Sequence, residues 1–180
     1  MHRRQPLPRL WLMTDERQGE TLWRALERLP RGSGVVFRHY RLQPKDRRRL
    51  FRRVKAIADK RRLLLLLAGS PHEARAWGAD GSHGRSGSKP ARGNLRSASA
   101  HDAREIRAAE RSGASLIFLS PVFSTRSHPG AAPLGRVRFG LLAGQTGLPV
   151  IALGGMDAKR ARSLAAFGIH GWAAIDAWSA

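Results

Sequence analysis

The chain has 180 residues, no cysteine, and 33 Lys and Arg against 13 Asp and Glu, a formal net charge of +20. This length suits one domain with a sizeable core. The lack of cysteine excludes disulfides and thiolate metal sites, and the charge favours anionic partners such as phosphorylated metabolites or nucleic acid.

The N-terminus, Met1-His2-Arg3-Arg4-Gln5-Pro6, has charge but no apolar segment behind it, and the longest leucine run, residues 63–67, is far too short to cross a membrane. A cytoplasmic protein with residues 1–8 as a flexible lead-in is expected. Residues 9–15 form a first short strand that ends in Thr14 and Asp15. Residues 21–29 follow with Leu22, Trp23, Leu26 and Leu29 at helical spacing. Residues 35–39 are a second, β-branched strand. Residues 45–60 place Leu50, Phe51, Val54, Ile57 and Ala58 on one apolar stripe, with Arg and Lys opposite. Residues 41–62 carry eleven basic and two acidic side chains, which read either as a solvated helix back or as a face for nucleic acid. Interleaved aromatics for stacking are missing there, because Phe51 belongs to the apolar stripe and Tyr40 is the only tyrosine.

Residues 63–67 are a third strand, and Ser70-Pro71-His72-Glu73 has the form of a capping box with proline at the first helical position. Three times a helical pattern ends in glycine, two residues follow, and a short apolar strand begins: at Gly78, Gly113 and Gly168. Recurring left-handed helix ends that feed short strands imply repeated β/α units and a parallel sheet. Residues 84–93 are too rich in Gly, Ser and Pro for an element and read as a loop. Residues 95–99 are a fifth strand, Asp102 with Glu105 caps a helix to Arg111, and residues 116–119 are a sixth strand before an irregular loop, 120–135. A helix over 139–146, a strand over 150–153, a helix over 158–167 and a strand over 171–175 complete the chain. Eight strands alternating with helices predict a compact (β/α)8 TIM barrel of the α/β class, in a single domain covering residues 1–180.

The seventh strand runs into Gly154-Gly155, with Asp157 placed to cap the next helix. Two glycines leave backbone N–H groups bare for an anion, and barrel phosphate sites commonly lie after strands seven and eight; the alternative is a plain tight turn.

Ser120-Pro121-Val122-Phe123-Ser124-Thr125-Arg126-Ser127, Leu134-Gly135 and Leu153-Gly154-Gly155-Met156 together resemble the thiamine-phosphate synthase and TenI family. Leu12-Met13-Thr14-Asp15, Gly78-Ala79-Asp80-Gly81-Ser82-His83 and Ser99-Ala100-His101 extend the resemblance from Arg9 to Ile175. It implies a (β/α)8 barrel, and for synthases the joining of hydroxymethylpyrimidine diphosphate to a thiazole phosphate with magnesium present. By position it implies a phosphate cradle at Gly154, Gly155, Ala174 and Ile175. Thr125 and Ser127 would meet the thiazole phosphate or carboxylate, and Arg38 and Ser99 would contact the diphosphate. Partners would be phosphorylated thiazole or pyrimidine molecules.

The departures are as specific. The synthase second-strand pattern Gln-x-Arg-x-Lys becomes Val36, Arg38 and Tyr40, and the Asn-Asp pair after the third strand becomes Ala68-Gly69. The loop after His83 carries no carboxylate, so the magnesium ligands are missing and no metal or cofactor is expected. His128 replaces a lysine, and Asp176 replaces the serine after strand eight. The histidine of TenI-type tautomerases falls on Pro121, seven residues before His128. His83, His101 and His128 are the candidate catalytic groups. The readings are a thiamine-pathway ligand-binding barrel with synthase turnover in doubt, a TenI-like tautomerase, or a non-catalytic anion-binding barrel that takes nucleic acid.

Overall fold

A computed structural model of the chain describes residues 6–84, 95–125, 130 and 132–178. Eight parallel strands close into a barrel in chain order, each paired with its sequence neighbours and β1 with β8. The order is β1 (Leu10–Met13), α1 (Thr21–Arg28), β2 (Gly34–Phe37), α2 (Pro44–Arg61), β3 (Leu64–Ala68), α3 (Pro71–Trp77), β4 (Gly81–His83) and β5 (Leu95–Ala100). It continues with α4 (Ala103–Arg111), β6 (Leu116–Leu119), α5 (Gly135–Ala143), β7 (Val150–Ala152), α6 (Ala158–Arg162) and β8 (Gly171–Ala174). Residues 85–94, between β4 and β5, lie outside the described residues.

Strands β1, β3, β6 and β7 read as unbroken apolar runs because both of their faces are covered, whereas β4 and β5 carry Ser82, His83, Arg96, Ser97 and Ser99. Trp11, Met13, Val36, Leu66, Phe118 and Ile151 point into the barrel, where Trp11 and Phe118 meet edge to face at 5.3 Å. The alternating residues Leu12, Val35, Phe37, Leu65 and Leu67 face α1 and α2, while Ile117, Leu119 and Ala152 face the α4 and α5 side. The Trp11 indole fills the bottom of the barrel and donates to the Pro8 carbonyl at 2.8 Å. Its ring lies where a Cβ on Gly34 would stand. Gly34→Ala is therefore expected to lower stability by about 1–3 kcal/mol through overpacking, a loss that urea unfolding will measure.

The three glycine helix ends are left-handed as their spacing predicts, with φ of 74° at Gly78, 72° at Gly113 and 66° at Gly168, and β4, β6 and β8 each begin three residues later. Asp157 caps α6, accepting from the Arg160 N–H at 2.8 Å. Elsewhere the elements are shorter or shifted. β2 stops at Phe37, and at His39 a φ of 40° takes the chain out of the extended region. The helix expected over 158–167 ends at Arg162, where the Ser163 hydroxyl bonds back to the Arg160 carbonyl at 2.7 Å, and the remainder tightens into a 3-10 turn, Ala165–Phe167. α5 starts four residues earlier than expected, at Gly135, whose N–H is held by the Val122 carbonyl at 3.0 Å. Ser70 accepts from the Glu73 N–H at 3.1 Å, but the Glu73 carboxylate reaches Arg47 at 3.2 Å, so only half of the capping box forms. No helix of the described residues is long and apolar enough to cross a membrane.

Candidate functional site

At the C-terminal mouth of the barrel, the loop after β6 is hydrogen-bonded to the turn after β7. Val122 N–H donates to the Leu153 carbonyl at 2.9 Å and Phe123 N–H to the Gly154 carbonyl at 3.1 Å. The chain then turns through Gly154 at φ 98° and Gly155 at φ 61°. A Cβ on Gly154 would stand 2.7 Å from Pro121 Cα, and one on Gly155 would stand 2.5 Å from the Ser124 carbonyl oxygen. Sterics and dihedral thus both demand glycine at these two positions. The N–H groups of Gly154 and Gly155 find no acceptor among the described residues. Such donors favour an anion or a polar ligand atom over an apolar neighbour.

These amides border a cavity of about 590 Å³. Ala174 and Ile175 line it from β8, Ser124 and Thr125 from the loop after β6, and Arg38 and His101 from the ends of β2 and β5. Leu153, Met156 and Ile175 supply an apolar wall. Five sequence-predicted contributors, Gly154, Gly155, Ala174, Ile175 and Thr125, are thus brought to one cavity, with Arg38 and His101 beside them. Ser99 is not among the lining residues; its hydroxyl lies 3.2 Å from His83 Nε2. Ser127, His128 and the loop 85–93 lie outside the described residues.

Arg38 is held firmly. Its Nε donates to the Thr14 carbonyl at 2.7 Å and its Nη2 to Asp15 at 2.9 Å, while its own N–H donates to the Thr14 hydroxyl at 3.0 Å. Thr14 Oγ1 is also 2.9 Å from His39 Nδ1. The Thr14 hydroxyl thus ties the Arg38 main chain to the His39 ring. Burial lowers the His39 pKa, against the pull of Glu16 and Asp15, which suits a neutral ring.

Arg47, which sequence reasoning left on a solvated helix back, is buried in the framework behind Arg38. It donates to the Arg38 carbonyl from Nε at 3.1 Å and from Nη2 at 3.0 Å, to the Ala68 carbonyl at 2.6 Å, and to Glu73 at 3.2 Å. A signal existed: residues 47, 51, 54 and 58 are the buried positions of α2, so Arg47 continues the apolar stripe one turn upstream.

The two described histidine candidates differ sharply. His101 lies at the cavity rim with a half-exposed side chain, its Nδ1 3.4 Å from Ser120 Oγ and 4.0 Å from Glu105. His83 is buried, its Nδ1 2.9 Å from Ser97 Oγ and its ring edge-on to Phe118 at 5.3 Å. Burial, helped by the charge of Arg38, pushes its pKa down to about 4.

An unfolded histidine titrates near 6.5, so between about pH 6.5 and 4 the unfolded chain binds more protons than the native one. Stability is therefore expected to be complete above this window and to fall by about 3 kcal/mol as the pH drops through it. Urea unfolding across pH 4–7 will show the slope. His83→Gln should remove most of it, leaving the same-signed contribution of His39.

Across residues 10–178 the chain matches the sequence model of the family described as thiamine monophosphate synthase. It is 34% identical over 179 residues to the "Putative thiamine-phosphate synthase 2" of Aquifex aeolicus (strain VF5), covering 94% of this chain and 96% of that one. It is also 34% identical over 187 residues to the thiamine-phosphate synthase of Salinispora tropica, covering 96% and 90%. Among solved structures, thiamine phosphate pyrophosphorylase from Pyrococcus furiosus has the same fold, with a TM-score of 0.76 at 23% identity, covering 97% of this chain and 88% of that one.

Proposed function

The chain belongs to the thiamine monophosphate synthase family, and from that premise we propose that it binds a phosphorylated thiazole or thiamine phosphate at the mouth of the barrel. The observation that carries this reading is the pair of acceptor-free N–H groups at Gly154 and Gly155 beside a cavity with an apolar wall. The phosphate oxygens accept from those amides and from Thr125, while the ring lies against Leu153, Met156 and Ile175.

Magnesium-dependent synthesis is not part of this proposal, because the residues present do not fit the metal. Ala68 and Gly69 carry no side-chain oxygen, and the Ala68 carbonyl is taken by the Arg47 guanidinium at 2.6 Å. The neighbouring carboxylate, Glu73, is paired with the same guanidinium, and residues 84–94 include no Asp or Glu. A divalent ion placed there would meet a fixed positive charge in place of carboxylate oxygens.

One observation favours a second reading. His101 at the cavity rim is an available proton-transfer group, which a TenI-like thiazole tautomerase requires.

Calorimetric titration with thiazole phosphate, thiamine phosphate and a short DNA duplex tests the proposal. Saturable 1:1 binding of either phosphate ligand, with none of the duplex, is expected. Binding of the duplex alone would replace this reading with an anion-binding one centred on the basic face at residues 41–62.

A further inference from the structure

We propose that Arg160 is the charge-recognition residue of the phosphate seat and makes it select a phosphate monoester over the matching alcohol. This rests on the reading that a phosphate occupies the Gly154–Gly155 turn.

Main-chain amides alone discriminate poorly, because they donate to many oxygens, charged or neutral. The cavity also contains Asp176, and Asp157 stands at its edge, so a dianion entering the seat would face two carboxylates. Arg38 also lines the cavity and Arg17 feels the charge of Asp176, but Arg160 is the cation at the glycine turn itself, bonded to the Gly155 carbonyl. It lines the cavity, and its Nη1 stands 3.2 Å from where a Gly155 Cβ would be.

The guanidinium is held in place before any ligand arrives. Nη1 donates to the Gly155 carbonyl, Nε is 3.9 Å from Asp157, and the guanidinium carbon lies 5.0 Å from the centre of the Phe123 ring. Nη2 has no partner among the described residues. A planar donor fixed on one side with its other edge open binds phosphate oxygens with little further ordering cost. The side chain is 48% exposed, so the open edge is reachable.

Titration of thiazole phosphate and the thiazole alcohol into the wild-type chain and Arg160→Gln tests the inference. The variant is expected to bind the phosphate about 10- to 100-fold more weakly and the alcohol unchanged, with a flatter dependence on salt. Equal phosphate affinity in wild type and variant would overturn the inference and leave the phosphate seat standing. A wild-type chain that does not prefer phosphate over alcohol would instead overturn the seat itself. Should the variant unfold, arginine-selective labelling of the wild-type chain gives a separate readout by mass spectrometry. Thiazole phosphate should slow modification of Arg160 several-fold while the alcohol does not; equal labelling with both would contradict the inference.

Discussion

Gly155→Asp is expected to abolish binding of thiazole phosphate and thiamine phosphate, with a loss of about 100-fold or more. The substitution puts a carboxylate where two N–H donors and the Arg160 guanidinium converge on the cavity. It also has a conformational cost. Gly155 has φ 61°, and an added Cβ would stand 2.5 Å from the Ser124 carbonyl oxygen and 3.0 Å from Phe123 Cβ. Strain and crowding together should lower stability by about 2–4 kcal/mol. Gly155→Ala separates the two effects, because it keeps the strain and the crowding without the charge. A folded Gly155→Ala that still binds, beside a folded Gly155→Asp that does not, is the expected pair. Retained affinity in folded Gly155→Asp would remove the phosphate from this turn.

The second large effect concerns metal. Ligand affinity is expected to be the same in millimolar Mg2+ and in a chelator, and thiamine phosphate is not expected to form above background from the two substrates of the family's synthases. A diphosphate leaving group needs counter-charge in the transition state, and the C-terminal end of β3 offers Ala68, Gly69 and an arginine whose Nε, Nη1 and Nη2 are each engaged. Arg38 is the cation that reaches the cavity from this side, although Thr14 and Asp15 hold much of its donor capacity. Quantifying product with and without Mg2+, and in Arg38→Ala, resolves the alternatives. Metal-dependent synthesis would contradict the account of Ala68 and Gly69. Metal-independent synthesis lost in Arg38→Ala would show that a guanidinium has taken over the metal's role.

The barrel was legible because its signals are local. A glycine that ends a helix two residues before an apolar run needs only a left-handed φ, and Gly78, Gly113 and Gly168 all have one. The glycine pair was legible for the same reason, since its backbone freedom is a property of the residue type. What failed to show depends on contacts across the barrel. Ser99 looked available for a ligand, but the register of β4 and β5 brings it to His83, and the ring bonds both Ser97 and Ser99. His39 extends an apolar run in sequence, yet the structure turns it to φ 40° to meet Thr14, which shortens β2. Arg47 was hidden by its charge: only its place on the stripe with Phe51, Val54 and Ala58 betrays that it is buried. Nothing in the sequence singles out Arg160, and its place in the site appears only when Gly155 and Phe123 are seen on either side of it.

The central claim is that the amides of Gly154 and Gly155 hold the phosphate of the ligand. Nitrogen-15 NMR titration of the 180-residue chain with thiazole phosphate tests it most directly, because each amide reports its own hydrogen bond. The account predicts that the Gly154 and Gly155 signals move downfield together and saturate at one equivalent, while the thiazole alcohol leaves them in place. Unmoved glycine amides, with the shifts concentrated along residues 41–62, would contradict it and assign the anion to the basic face.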